Sequence, residues 1–292
     1  MSLWHKTFSP MLLNEREKPF NSKDYLYEIK YDGIRVLIYV NSKEIRIINR
    51  NLNDMTYLFP ELYALKNKVN KDVIFDGEII CTDNGKPSFS KLQERLHLKD
   101  KNKIDNKVLS NPITFIAFDI LYENKNLINL PLIDRKKILN NYEDDNIFIK
   151  SFYIEEKGIE LFKKVQKLNL EGIVAKKKKG KYYIDTRCDE WIKIKNFKCE
   201  DFLIGGYSIK KSMYVISISL GEYKNNDFYY VGSCSLSKKH PLYKDVINSK
   251  IVQNRFVNYN ENINYIEPKL KIKINYMERT KDNHLRQPFV KK

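Results

Sequence analysis

The stretch YLYEIKYDGIRVLIYV, residues 25–40, carries charged side chains within a run of strand-forming residues. Its Ile, Val, Leu and Tyr side chains favour a pleated sheet. Glu28, Lys30 and Asp32 recur at every second position, so the period of a strand predicts that all three lie on one face. Gly33 then interrupts the run and allows the backbone to approach a ligand closely. The stretch therefore predicts a strand, a break and a second strand, with a lysine between two carboxylates.

Lys30 is a candidate nucleophile. A buried lysine loses its proton more readily than an exposed one, and the free amine attacks electrophiles. We expect Glu28 and Asp32, on the same face, to hold this amine in place. The alternative is a structural lysine whose ammonium group extends from the sheet into solvent.

The composition favours a polyanionic partner. The 292 residues carry a formal net charge of +16, and the positive excess is spread over both halves of the chain. A sequence pI of about 9.4 favours nucleic acid ahead of a membrane surface. An AT-biased genome is an alternative source of part of the lysine content. The length is typical of one large domain or of two unequal ones.

Several classes of protein are excluded. The four cysteines form no Cys-x-x-Cys pair, which argues against a disulfide scaffold or a zinc site. The N-terminus lacks the apolar core of a signal peptide, and no apolar run approaches the roughly 18–20 residues that span a bilayer. We therefore expect a soluble, cytoplasmic protein.

Strand signals change in character along the chain. In the first two thirds, strand-type apolar runs lie at 25–30, 34–40, 44–48, 73–80, 113–122, 172–176 and 191–195. Helix-spaced apolar residues lie between them, at 59–70 and 155–170. After about residue 200, short strands predominate with one helical candidate at 241–252, a pattern typical of a small β-barrel. The boundary is predicted within 193–202.

Six motifs along the chain resemble those of a known family. KYDGIR (30–35) resembles the Lys-x-Asp-Gly-x-Arg motif of the covalent nucleotidyltransferases, which include ATP-dependent polynucleotide ligases and mRNA-capping guanylyltransferases. The other five follow in the family's order: NRN (49–51), FDGEI (75–79), FIAFDILY (115–122), EGIVAK (171–176) and RCDEWIKIK (187–195). Each has a structural alternative when taken singly, but six in register favour the family. The resemblance is closest to compact ligases of phages and bacteria, including the ligase portion of bacterial end-joining enzymes.

The resemblance implies an α+β fold in two domains. Residues 1–198 are expected to form a nucleotidyltransferase (ATP-grasp-like) adenylation domain of antiparallel sheets with flanking helices. Residues 199–292 are expected to form a small OB-fold β-barrel. It further implies a bacterial or phage-encoded protein.

The implied activity is that of an ATP-dependent DNA ligase. Such an enzyme seals 3′-OH/5′-phosphate nicks through a lysyl-AMP and a DNA-adenylate intermediate, with ATP and Mg²⁺ or Mn²⁺ as cofactors. The expected partner is nicked duplex DNA, bound by a monomer. Two alternatives stay open. The first is a related enzyme, either an RNA ligase or a capping guanylyltransferase. The second is a catalytically silent prophage-derived protein that binds nucleic acid.

The resemblance also implies roles for individual residues. Lys30 is the expected nucleophile, with Asp32 and Arg35 as further catalytic residues, and Phe118 is expected to stack on the purine. Glu78 and Glu171 are the expected metal ligands. The expected nucleotide-binding residues are Glu28, Lys30, Arg35, Arg50, Glu78, Phe118, Arg187, Lys193 and Lys195.

The C-terminal stretch departs from the family pattern. LRQPFV (285–290) resembles the approach to a sixth motif, but the Arg-x-Asp-Lys-like continuation is missing from this sequence. We expect Arg286, Lys291 and Lys292 to contact the β- and γ-phosphates in its place. The alternatives are that self-adenylylation is intrinsically slow, and that these residues form a tail of solvated lysines.

Overall fold

The structure, a computed structural model, describes residues 2–83, 85–209 and 214–291. The chain divides into two compact units, Met1–Asn196 and Phe197–Lys292. This division falls within the stretch 193–202, where the character of the sequence changes.

The first unit contains most of the predicted strands and several that the sequence did not reveal. Its strands are β1 (Leu12–Glu15), β2 (Ser22–Lys30), β3 (Ile34–Val40), β4 (Ile45–Asn49), β5 (Val73–Asp83), β6 (Lys86–Pro87), β7 (Ile113–Glu123), β8 (Phe148–Lys150), β9 (Tyr153–Glu156), β10 (Gly172–Lys177) and β11 (Arg187–Lys195). The seven predicted strands are confirmed to within a few residues. The short strands β1, β6, β8 and β9 were missed because two to four residues give too little periodicity to recognise.

These strands form two sheets. In the first, the described strands follow the order β1-β11-β10-β2-β9, with antiparallel neighbours apart from the parallel pair β1 and β11. In the second, the described order is β4-β3-β5-β7-β8, with β6 paired to the end of β5. Its neighbours are antiparallel apart from β7 and β8. The charged stretch at 25–40 therefore crosses from one sheet to the other.

Helices pack against the two sheets, mostly on their outer faces, although the helix Leu132–Leu139 also contributes Leu132 to the core between the sheets. They are α1 (Phe89–Leu96), α2 (Lys101–Ser110), α3 (Leu132–Leu139) and α4 (Gly158–Lys167). Leu161 and Phe162 of α4 pack against Tyr27 and Ile173 on the first sheet. Because side chains alternate along a strand, the neighbouring positions on β2 and β10 face the second sheet instead.

The helix predicted at 59–70 is a 3₁₀ helix, Pro60–Lys68, and not an α-helix. Phe59, Leu62 and Leu65 are buried against the second sheet. Their spacing of three matches the three residues per turn of a 3₁₀ helix, which places them on one face.

The second unit is a curled sheet with one described helix. Its strands are β12 (Lys198–Ile209), β13 (Val215–Lys224), β14 (Asp227–Ser237), β15 (Asn264–Tyr265), β16 (Lys271–Tyr276) and β17 (Phe289–Val290), and its helix is α5 (Leu242–Ile247). The sheet order is β14-β13-β12-β16-β17. The N–H of Leu285 donates to the carbonyl of Val231 on the far edge strand, which curls the sheet towards closure. Ile272 and Ile274 point inward, whereas Lys271 and Lys273 point outward.

None of the helices within the described residues combines the length and the apolar character needed to cross a bilayer.

Candidate active site

An open cleft in the first unit is lined by side chains from both sheets. Its empty space of about 420 Å³ includes solvent at the open mouth. The first sheet contributes Lys30 and Trp191, and the second contributes Arg35, Glu78 and Phe118. With Leu13 and Val174, which also line the cleft, residues from seven strands meet at one place.

Lys30 ends β2 and lies beside Glu171. The strand register pairs Lys30 with Gly172 and Gly172 with Lys195, so the three residues lie side by side across the sheet. Glu171 directly precedes β10, and Lys30 Nζ donates to its Oε2 at 2.8 Å. Gly172 has a φ of +153°, and a Cβ there would lie 2.3 Å from the carbonyl oxygen of Ile194. Glycine is therefore required for these strands to approach each other.

Asp32 lies beyond the strand. Because β2 ends at Lys30, the predicted alternation of three charged residues holds for Glu28 and Lys30 and does not extend to Asp32. Asp32 is nevertheless part of the cluster, since its charge helps to raise the pKa of Glu171. A Cβ on Gly33 would lie 2.2 Å from a backbone carbonyl of β5, so this turn also requires glycine.

Two carboxyl groups near Lys30 have raised pKa values. Burial raises the pKa of Glu78 to about 8, against the opposing effects of Lys30 and Arg35. Burial also raises the pKa of Glu171, and Lys30 again opposes the shift. Burial lowers the pKa of Lys195, and the nearby Glu171 opposes this. The cluster is thus a group of strongly coupled charges in a partly buried place.

The carboxyl pair fits a divalent cation that a substrate helps to bind. Among residues 2–83, 85–209 and 214–291, no group of three or more His, Cys, Asp or Glu side chains is arranged to hold a metal ion. Mg²⁺ is commonly held by one or two carboxylates together with substrate phosphates. Glu78 and Glu171 supply two such groups. The charge of Glu171 adds to the raised pKa of Glu78, so the two carboxyl groups repel each other when both are ionised. A bound cation relieves that repulsion.

Glu28 does not hold Lys30 as predicted. Its Oε2 accepts hydrogen bonds from Lys176 Nζ at 2.9 Å and from Ser151 Oγ at 3.0 Å. Its Oε1 lies 2.5 Å from Lys136 Nζ. The carboxyl group therefore faces two buried lysines, and Glu171 takes the place expected for it beside Lys30. Burial lowers the pKa of Lys176 to about 8, with Glu28 opposing and Lys136 adding to the shift.

Phe118 lies at an irregularity in the second sheet. The register of β5 and β7 pairs Gly77 with Ala117 but Asp76 with Asp119, so Phe118 is an extra residue in β7. Such a bulge redirects a side chain, and here the ring lines the cleft. Its centroid lies 5.8 Å from that of Trp191 in an edge-on arrangement. Lys176 Nζ lies 4.2 Å and 4.0 Å from the centroids of these two rings.

Arg35 directs its guanidinium group towards Asp76. Its Nε and Nη2 donate to the two Asp76 oxygens at 2.9 and 2.7 Å. Nη1 donates to the carbonyl of Met11 at 2.7 Å, and Nη2 also contacts the Tyr182 hydroxyl at 3.4 Å. These bonds use four of the five N–H donors of an arginine. The contact between Arg35 and a phosphate stays a prediction, and one donor is left for it.

Three other predicted cations are not among the side chains that line the cleft. Arg50 is exposed on the turn after β4, and Arg187 is exposed and donates to the carbonyl of Leu13. Lys193 Nζ lies 3.0 Å from an oxygen of Glu15. Neither arginine lines the described cleft. Their contacts with a nucleotide remain predictions.

The C-terminal residues belong to the second unit. Arg286 Nη1 donates to Glu278 Oε1 at 2.9 Å, and the backbone N–H of Lys291 donates to the carbonyl of Lys273. Lys292 lies outside the described residues. The predicted phosphate contacts of these residues stay predictions.

Several residues that line the cleft, or that bond to residues lining it, received no role in the sequence analysis. Trp191 and Val174 lie within the quoted motifs but received no role, although both line the cleft. Leu13 comes from the short strand β1 and carries no signal in the sequence. Asp76 stands in FDGEI two residues before Glu78, so this motif contained a signal that could have identified it. Lys136 gave no signal, because one lysine of a Lys-Lys pair on a helix is usually exposed.

Comparison with known proteins identifies relatives. Residues 10–195 match the family described as ATP dependent DNA ligase domain. The SPbeta prophage-derived DNA ligase-like protein LigB of Bacillus subtilis is 33% identical over 213 residues, which are 72% of this chain and 75% of that protein. The multifunctional non-homologous end joining protein LigD of Mycolicibacterium smegmatis is 29% identical over 297 residues. That match covers 96% of this chain but 37% of the LigD protein, so this chain spans little more than a third of that relative.

Solved structures share the fold. The ligase domain of LigD from M. tuberculosis gives a TM-score of 0.59 at 23% identity, covering 97% of this chain and 94% of that one. A structure of Lig E DNA ligases gives a TM-score of 0.65 at 16% identity, covering 98% and 99%. These likenesses confirm the predicted fold class, a nucleotidyltransferase unit followed by an OB-like sheet. Since the family match alone spans residues 10–195, well over half of the sequence, the chain belongs to the family of ATP-dependent DNA ligases.

Proposed function

We propose that this chain seals 3′-OH/5′-phosphate nicks in duplex DNA through a lysyl-AMP on Lys30 and a DNA-adenylate. The observation that carries the proposal is the position of Lys30. Its amine lies in an open cleft, 2.8 Å from a carboxylate oxygen of Glu171. An aromatic ring, Phe118, lines the same cleft. A nucleophile, a proton acceptor and a stacking surface thus lie together.

In the first step, Lys30 Nζ attacks the α-phosphorus of ATP. The N–P bond forms, the bond to pyrophosphate breaks, and the amine gives up a proton for which Glu171 is the nearest acceptor. The purine stacks on Phe118. The presence of Glu28 at this end of the cleft favours adenine over guanine as the base. An ionised carboxyl group only accepts hydrogen bonds. Adenine carries an amino donor at the position where guanine carries an oxygen.

In the second step, an oxygen of the DNA 5′-phosphate attacks the phosphorus of lysyl-AMP. The P–N bond breaks, and the Lys30 amine recovers a proton. In the third step, the adjacent 3′-hydroxyl attacks the activated 5′-phosphate, loses its proton, and AMP leaves. All three steps transfer phosphoryl or nucleotidyl groups with similar charge development, so one group of cations serves them all. The candidate cations are Arg35, Arg50, Arg187, Lys193 and Lys195, and Asp32 is a further candidate catalytic residue.

Glu78 and Glu171 are the residues that would hold Mg²⁺ or Mn²⁺. When bound there with the triphosphate, the ion neutralises charge that builds up on the phosphate oxygens. The raised pKa of Glu78, about 8, supports this role because a carboxyl group that is costly to ionise in the empty cleft gains most from a neighbouring cation.

We further propose that the chain acts as a monomer that contacts DNA mainly through phosphates. The net charge of +16 supports this, as do the outward-pointing Lys271 and Lys273 of the second unit. Phosphate contacts position a protein on DNA without reading sequence, which suits an enzyme that acts on any nick.

Incubation with α-labelled ATP or GTP and Mg²⁺ tests the proposal. We expect covalent label from ATP and not from GTP, and we expect none in Lys30→Ala. Lys23→Ala is the matched control, since Lys23 is an exposed lysine on the same strand and its loss should leave labelling intact. Label from GTP would favour a capping enzyme, and no label from either nucleotide would favour a protein that only binds nucleic acid. Transfer of the label to nicked DNA, followed by joining, would then complete the test.

A further inference from the structure

Lys136 is a buried lysine that the proposed reaction does not use. It lies on α3, its side chain is 3% exposed, and it does not line the cleft. Its ammonium group lies 2.5 Å from Glu28 Oε1, yet it has no hydrogen-bond partner among the described residues. The next residue, Lys137, is 72% exposed and pairs with Asp134 at the surface. Two neighbouring lysines on one helix therefore have opposite environments.

Stability alone does not account for Lys136. Burying an ammonium group is costly, and replacing a buried ion pair with apolar side chains is often neutral or stabilising. The surroundings of Lys136 carry an excess of positive charge, since Glu28 faces both Lys136 and Lys176. The adjacent buried pair, Asp119 and Arg135, balances itself. A buried, poorly satisfied cation is thus kept beside one particular carboxyl group.

The contacts of Glu28 show what Lys136 does. Lys176 and Ser151 both hold Oε2, from β10 and from the link between β8 and β9. Lys136 is the group that faces Oε1, from α3. With Lys136 present, each oxygen of Glu28 faces an ammonium group, and the ion pair with Lys136 favours one orientation of the carboxyl group. Without it, one oxygen loses its partner.

This arrangement reaches the aromatic wall of the cleft. Lys176, which shares Glu28 with Lys136, lies 4.2 Å from the ring centroid of Phe118 and 4.0 Å from that of Trp191. A continuous set of contacts therefore runs from α3 through Glu28 and Lys176 to the ring on which we propose that the purine stacks.

We propose that Lys136 is a positioning residue for the purine end of the ATP site and acts through Glu28. This inference rests on the proposed function, because it takes the cleft to be the ATP site. Lys136 itself touches no nucleotide. It sets the orientation of Glu28, and with it the preference for ATP over GTP.

Equilibrium binding of ATP and GTP without a divalent cation tests this role separately from catalysis. The measurement is isothermal titration calorimetry on the full chain. For Lys136→Met we expect the affinity for ATP to fall roughly tenfold, which lies within the roughly 5–150-fold typical of coupled sites. We also expect the ratio of the ATP affinity to the GTP affinity to decrease. Lys137→Met is the control, with the same substitution one residue further along, and should bind as the wild type does. Lys136→Arg, which keeps the charge, should retain more affinity than Lys136→Met.

A double variant tests the route. If Lys136 acts through Glu28, then adding Lys136→Met to Glu28→Gln should cause no further loss of ATP affinity. Circular dichroism and thermal melting of each variant verify that it is folded. Equal affinities in Lys136→Met and Lys137→Met would overturn the inference, as would full additivity with Glu28→Gln. If the wild type binds ATP but forms no lysyl-AMP, the proposed function is refuted and the role of Lys136 in ATP binding is not. If the wild type binds no ATP, both are refuted.

Discussion

Replacing Asp76 with asparagine should destabilise the first unit strongly. Asp76 is fully buried and accepts two bonds from Arg35 at 2.7 and 2.9 Å and one from the Tyr182 hydroxyl at 2.7 Å. Asp76→Asn removes the charge but keeps the shape, so Arg35 is left as a largely buried cation without the carboxylate that it pairs with. Breaking one partner of a buried pair costs about 3–5 kcal/mol. For a unit of this size, each kcal/mol shifts the melting temperature by about 2–4 °C, which gives a decrease of roughly 6–20 °C.

Differential scanning calorimetry of the full chain measures this shift. Asp134→Asn is the control, because its partner Lys137 is exposed, and we expect no measurable change. Combining Asp76→Asn with Arg35→Met should recover part of the loss, since the second change removes the unpaired charge. A decrease of less than 2 °C in Asp76→Asn, or no recovery in the combined variant, would refute the conclusion that Arg35 is clamped by Asp76.

Three further outcomes follow from the site. Glu78 has a folded-state pKa of about 8 against an ordinary value of 4.5, so the stability it contributes is present at low pH and lost as pH rises through this window. Without Mg²⁺, Glu78→Gln should therefore melt at a higher temperature than the wild type at pH 8.5 and at nearly the same temperature at pH 4.5. A difference in melting temperature that does not grow with pH would contradict this. Phe118→Leu removes a stacking surface worth about 0.5–1.5 kcal/mol and should raise the KM for ATP in lysyl-AMP formation by roughly two- to tenfold, whereas an unchanged KM would exclude Phe118 from purine binding. Nick binding should weaken with log[salt] at a slope of about −0.9 per neutralised phosphate, and a flat response in filter-binding assays would rule out binding through phosphates.

The sequence predicted local features of the site well. Strand periodicity predicted that Glu28 and Lys30 lie on one face, and the family motifs marked Glu78 and Phe118, which line the cleft, and Glu171, which accepts a hydrogen bond from Lys30. Spacing fixes the direction of a side chain along a strand, which accounts for Glu28 and Lys30, whereas the other three residues were implied by the resemblance. The family resemblance then supplied the fold that brings the segments together.

The partners of those residues could not be predicted. Lys30 meets Glu171, which is 141 positions away, because β2 pairs with β10 in one particular register. Glu28 is nearer to Lys30 in sequence, yet it turns to lysines from β10 and α3. Which carboxyl group pairs with which cation depends on tertiary packing, and local periodicity carries no information about it.

Arg35 illustrates the same limit. Its place in the motif suggests a phosphate contact, but the structure gives most of its donors to Asp76 and to the carbonyl of Met11. Met11 lies just before β1, a strand of four residues that the sequence did not reveal. A missed short strand therefore hid one of the partners of Arg35, and the contact between this arginine and a phosphate stays a prediction.

The central claim is that Lys30 carries AMP from ATP to the DNA, and a chase experiment tests it most directly. The wild-type protein is labelled with α-labelled ATP and Mg²⁺, freed of nucleotide, and mapped by peptide mass spectrometry. It is then mixed with nicked duplex in the absence of ATP. We predict label on the peptide that contains Lys30, its transfer to the 5′-phosphate of the nick, and its release as AMP while one sealed strand forms for each labelled protein. Label on a peptide that lacks Lys30, or sealing by Lys30→Ala at the wild-type rate from ATP, would contradict the claim.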